Sequence, residues 1–111
     1  MQTYLIQARY TAEATANLVA KPEDRSQAVE KMCSAIGGKL TSFYMSFGDY
    51  DVTAIAEFPN DEIAAGLAMG SVARGHITNF KTTRLLKPAE VQKALKIAHS
   101  AHEHLAAPKG K

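Results

Sequence analysis

Residues 3–10, TYLIQARY, alternate with a period of two: Tyr4, Ile6, Ala8 and Tyr10 point one way, Thr3, Leu5, Gln7 and Arg9 the other. Successive side chains of a strand face opposite sides, so the pattern predicts a first strand half-buried on each face. The period then changes. Ala28, Val29, Met32, Cys33 and Ile36 recur at helical spacing and predict a buried stripe. Pro22 suits the first position of that helix, and Glu23 and Asp24 suit the positive end of its dipole. Gly37-Gly38 ends it, because glycine accepts the left-handed conformation of a C-terminal cap. Residues 11–20 read as a short helix ahead of it.

KLTSFYMSF, rich in aromatics, predicts the second strand and YDVTAIAEF the third. Only Gly48-Asp49 separates them, which makes an antiparallel hairpin. Asn60 or Asp61 then offers an N-cap for EIAAGLAMGSVARG, a helix of small residues with Ile63, Leu67 and Val72 as its larger packers. Gly66 and Gly70 each weaken it by about 1 kcal/mol relative to alanine, and let another backbone come close. Gly75 ends it, and HITNFKTTRLL makes the fourth strand. Pro88 opens a last helix, PAEVQKALKIAHSAHEHLAA, before the tail PKGK.

The order β-α-β-β-α-β is the split βαβ pattern of an α+β, ferredoxin-like fold, here with an added C-terminal helix. Residues 1–87 form the domain, 88–107 a helical extension and 108–111 a polar tail. Two helices cover only one face of a four-stranded sheet, and the other face, with Leu5 and Ile55, needs a cover too. Sheet-to-sheet dimerisation supplies one and leaves a pocket between the sheet and the partner subunit. The last helix is the alternative cover.

Composition narrows the class. At 111 residues there is room for one core, and 46% hydrophobic with 22% charged residues is ordinary for a globular domain. A net charge of +2, with its lysines and arginines scattered, argues against a nucleic-acid module. A single cysteine, Cys33, excludes an internal disulfide and fits a reducing, cytoplasmic setting. Cys33 itself is expected as a small core residue. No run approaches the length of a membrane span, and the N-terminus lacks the basic, apolar and cleavage regions of a signal peptide.

Several blocks together resemble the GYD-domain family: the opening TYLIQARYT, the seam Gly48-Asp49-Tyr50-Asp51 within GGKLTSFYMSFGDYD, the acidic PND before the second main helix, and the closing TTRLL. The resemblance covers residues 2–87. It implies a small bacterial or archaeal protein whose ferredoxin-like subunits pair into a dimeric α+β barrel, and it assigns no reaction. The C-terminal helix lies outside it.

The candidate chemistry gathers at three places. At the seam, Asp51 and Tyr50 either close a hairpin or line a site. A partly desolvated Asp51 would have a raised pKa and serve as a proton shuttle, with Tyr50 bonding a carbonyl or phenol. His76, expected on one face with Thr78, Phe80, Thr82 and Arg84, would complete a catalytic set if it met Asp51 across the sheet. The competing reading makes it a capping or exposed residue. Arg9, on the open face, would bind a ligand carboxylate bidentately or bridge subunits. Phe43, Tyr44 and Phe47 line a pocket or join the core. In the last helix, His99, His102 and Glu103 are candidate ligands for a divalent metal, although His102 also falls on the apolar stripe Val91, Leu95, Ala98, Leu105. No cofactor is otherwise required. The sequence therefore supports a homo-oligomer that binds a small molecule or a protein partner. Its rival is a cofactor-independent isomerase, cyclase or monooxygenase-like enzyme working in the inter-subunit pocket.

Overall fold

Strand β1 (Gln2–Tyr10) ends where Thr11 turns the chain into α1 (Ala12–Ala20). The Thr11 hydroxyl accepts the Ala14 N–H at 3.1 Å and so satisfies an amide that a helix start leaves without a partner. The computed structural model describes residues 1–108; most of the tail expected over 108–111 lies outside them.

Helix α2 (Ser26–Ala35) starts four residues later than Pro22 suggested. Asp24 is the reason: its Oδ1 accepts both the Ser26 hydroxyl at 2.7 Å and the Ser26 N–H at 2.9 Å. This closes a turn that leaves Pro22 and Glu23 in the connection. Those two bonds, the hydroxyl's first, hold the Asp24 carboxyl below its ordinary pKa. At the other end Gly37 adopts φ 85°, and the Gly38 N–H reaches back to the Cys33 carbonyl at 2.8 Å.

Strands β2 (Lys39–Met45) and β3 (Val52–Phe58) are shorter at the hairpin than their hydrophobic runs implied, because residues 46–51 fold into a loop of their own. Helix α3 (Asp61–Ala73) is capped by Asn60, whose Oδ1 accepts the Ile63 N–H at 3.0 Å. Strand β4 (Ile77–Leu85) and helix α4 (Pro88–His104) follow.

The strands lie in the order β2-β3-β1-β4, all antiparallel, which is the ferredoxin-like arrangement. Tyr4 faces Ala56 and Leu5 faces Ile55 across β1 and β3, so the predicted alternation holds. Tyr4, Ile6, Ala56 and Phe58 pack with Cys33, Ala64 and Leu67 under the helices. Ala8, Val52 and Ala54 make a second cluster with Phe43 and Phe80.

Two expectations about packing fail. Asn79 takes a left-handed φ of 48° and inserts an extra residue in β4: Thr78 pairs with Arg9, yet Lys81 pairs with Gln7. Phe80 therefore stays on the helix side while Thr78 moves to the open side, and the face proposed for His76 to Arg84 is broken. Ala28, Met32 and Val72 are exposed rather than packed. Helix α2 sits over β2 and α3 over β3 and β4, with little contact between the two helices, so the Met32 side of α2 meets a gap.

Helix α4 buries none of its residues, and so it is not the cover for the open face. Its first turn is tied down: Glu90 accepts the Lys87 N–H at 2.8 Å and pairs with Arg84 at 3.3 Å. Beyond that turn it runs free, with Leu95 and Ile97 exposed. The radius of gyration, 18.3 Å, exceeds the roughly 13 Å expected of a compact chain this long.

Candidate functional site

At the seam, Asp51 is occupied by backbone. The Asp51 N–H donates to the Ala8 carbonyl at 2.9 Å, and the Asp51 carboxylate accepts the Tyr10 N–H at 2.9 Å. Ser46 closes the loop from inside, its N–H donating to the Asp51 carbonyl at 2.8 Å and its hydroxyl to the Tyr50 carbonyl at 2.7 Å. Arg9 reaches over from β1 and donates to the Gly48 carbonyl at 2.6 Å, with a longer contact to that of Asp49 at 3.4 Å. The turn is thus pinned to the end of β1 from both sides.

The expected catalytic set does not converge. Asp51 flanks β1 on the β3 side, whereas His76 flanks it on the β4 side, where its carbonyl accepts the Thr11 N–H at 3.0 Å. Strands are spaced about 4.8 Å apart, which puts one full strand and about 10 Å between the two backbones. No hydrogen bond engages the Tyr50 phenol among the described residues. The aromatics scatter as well. Phe43 packs in the second core cluster, Tyr44 is 67% exposed on the opposite side of its strand, and Phe47 is 99% exposed in the loop. On α4, His99 and Glu103 face each other at 3.6 Å, but no group of three His, Cys, Asp or Glu side chains converges among the described residues.

A polar cluster that the sequence reading missed lies at the opposite end of the sheet. The Tyr4 hydroxyl donates to Asp61 at 2.5 Å and lies 3.0 Å from the Gln2 amide oxygen, which also accepts from Arg84 at 3.2 Å. The Arg84 guanidinium stacks 5.8 Å from the Tyr4 ring centre. Burial, and then the bond to Asp61, push the Tyr4 pKa up to about 12. This cluster joins β1, β4, α3 and the first turn of α4, and every member has a partner within the fold.

The principal cavity lies elsewhere, on the helix side of the sheet. Between α2 and α3 a groove of about 620 Å³ runs down to the strands. Its floor is Ile6, Ala8, Val52, Ala54 and Phe80, and its walls are Val29, Met32 and Cys33 from α2 and Ile63, Gly66 and Gly70 from α3. A Cβ placed at either glycine would meet nothing within 4 Å, so the glycines widen the groove and do not seat a neighbour. Burial raises the Cys33 thiol pKa and keeps it in its unreactive form. At one end stand Arg25, Arg74 and His76; no carboxylate lines the groove among the described residues. The sequence signal for it was present but weak: two glycines four apart on a helix facing the sheet. A smaller hollow of about 570 Å³ beside α1 shares Tyr10, Arg25 and His76 as its wall.

A four-stranded antiparallel sheet with helices on one face and an apolar groove beneath them defines a ferredoxin-like α+β domain. Within that class, the GYD-domain family model matches residues 4–95, and the chain belongs to that family. The match reaches into α4, further than the expected limit at residue 87. No curated protein and no solved structure gives a match. No helix among the described residues is long and apolar enough to cross a membrane.

Proposed function

We propose that this chain is a small-molecule-binding homo-oligomer whose ligand lies in the groove between α2 and α3. The observation that carries this reading is the groove itself, about 620 Å³ of mainly apolar space reaching the sheet. Small-molecule sites fall within about 300–1,000 Å³ and are mostly apolar with a few convergent polar groups. The separation of Asp51, Tyr50 and His76 favours binding over isomerase, cyclase or monooxygenase-like chemistry. It also moves the expected ligand from the open face of the sheet to the helix face. Self-association has separate support: Leu5, Ile55 and Leu85 on the open face stay partly exposed, and neither they nor the apolar stripe of α4 is buried among the described residues.

Titration with the neutral dye N-phenyl-1-naphthylamine tests the binding reading. Saturable fluorescence enhancement is expected for the native chain and its loss for Gly66→Leu, which fills the groove from a position with open space. Equal enhancement by both proteins, or none by either, would sink it. Sedimentation equilibrium tests the oligomer, and a monomer at every concentration would remove that half of the proposal.

A further inference from the structure

The groove is not symmetric along its length, and its asymmetry specifies a ligand. Topology brings three basic residues to one end. Arg25 precedes α2, Arg74 caps the end of α3, and His76 leads into β4, whose first residue Ile77 pairs with Tyr10 at the end of β1. The opposite end is lined by Ile36, Leu40 and Ile63, with no charged residue there among the described residues.

The cations at the mouth lack strong partners. Arg74 forms no ion pair among the described residues. Arg25 pairs only with Glu23, two positions away, at 3.4 Å; that carboxylate is largely exposed and lines the neighbouring hollow, not the groove. Asp24, the other nearby acid, is engaged by Ser26. An anionic group at the mouth would therefore find guanidinium donors without displacing a buried partner. Guanidinium–carboxylate hydrogen bonds are among the stronger polar contacts available to a protein.

We propose, resting on the reading of the groove as a ligand site, that it takes a free amphiphilic anion. An apolar body lies between α2 and α3, and a single carboxylate or similar head meets Arg25 and Arg74 at the mouth. A neutral ligand of the same shape gains only the apolar contacts, and a cationic one is repelled.

Displacement of the bound naphthylamine dye by dodecanoate, dodecanol and dodecyltrimethylammonium, each below its micelle threshold, tests this directly. Dodecanoate is expected to displace the dye at a concentration about tenfold lower than dodecanol, the size of one charge-assisted hydrogen bond. The ammonium compound should be weakest. The double variant Arg25→Gln/Arg74→Gln, with native circular dichroism and with displacement referred to its own dye affinity, should bring dodecanoate level with dodecanol. Dodecanol matching dodecanoate on the native chain, with saturable dye binding intact, would overturn the anion and leave the groove as a ligand site. Absence of saturable dye binding would overturn both. Co-sedimentation with phosphatidylglycerol vesicles, and not with phosphatidylcholine ones, would place the same chemistry on a lipid surface and overturn the free ligand.

Discussion

The turn at residues 46–51 and the groove between α2 and α3 are opposites. The turn holds two aspartates, a tyrosine and a nearby arginine, the residue types that chemistry uses, and the groups that meet β1 are taken up: Asp51, Arg9 and Ser46 are bonded to main chain, which leaves the Asp49 carboxylate and the Tyr50 phenol at the rim without a hydrogen bond among the described residues. The groove is walled by alanine, glycine, valine and isoleucine, yet the cations at its mouth are open. Reactive residue types mark a site only when the fold leaves them unsatisfied. A carboxylate that accepts a backbone N–H is fixing geometry, because an amide left without an acceptor costs more than the bond contributes on average.

The contrast breaks most visibly at Asp51. Replacing it with alanine orphans the Tyr10 N–H and loosens the join between the hairpin and β1, so urea denaturation should show a loss of about 1–3 kcal/mol. Dye binding in the groove should persist wherever the variant is folded. Loss of binding without loss of stability would move the site back to the turn. Arg9→Ala is expected to cost about 1 kcal/mol through the same loop. Combined with Asp51→Ala it should cost less than the sum, since both side chains hold one turn.

The cluster around Tyr4 extends the comparison to a third region, with a pH signature. The phenol's folded pKa, about 12, stands above the ordinary tyrosine value of 10.0. Protonated Tyr4 thus stabilises the fold, and that contribution is complete below pH 10 and disappears as pH climbs through 12. Stability measured by denaturant at successive alkaline pH values should fall across this window. Tyr4→Phe should flatten the part of the fall that belongs to this residue. A fall of the same size in Tyr4→Phe would assign it to other groups.

Much of the fold was legible in the sequence because its signals are local and periodic. The alternation in TYLIQARY, Gly37 and Gly75 closing helices, and Asn60 as a cap each depend on a few neighbouring residues, and the sheet then follows from the order of elements. What failed was non-local or one residue wide. Asn79 looks like an ordinary strand residue, yet its left-handed backbone shifts Thr78 to the other face. Asp24 moved the start of α2 because a side chain competed with the helix for the Ser26 amide. The site was legible only in part. Asp51 as a residue that closes the hairpin was among the readings open from sequence, whereas Arg25 and Arg74 meet at one groove mouth only through tertiary topology. The small residues of α3 hinted at a close neighbour, and the structure shows open space there instead.

The smallest expected effects give the sharpest comparison, because they isolate backbone from contact. Gly48 in the turn and Gly66 in the groove both face open space, and a Cβ at either would touch nothing within 4 Å. Packing therefore says nothing about the sign of a glycine-to-alanine change at these sites. The backbone decides. Gly48 sits at φ 153°, in a region that residues with a Cβ resist, so Gly48→Ala should destabilise by about 1 kcal/mol. Gly66 lies within α3, where alanine loses less conformational freedom on folding, so Gly66→Ala should stabilise by about 0.5–1 kcal/mol. Thermal and urea midpoints measured side by side decide it. Opposite signs confirm that the turn's glycine serves backbone geometry while the groove's glycine gives up helix stability to keep space open. A destabilising Gly66→Ala would mean that the space is filled in solution, and then the groove's occupant would be part of the fold.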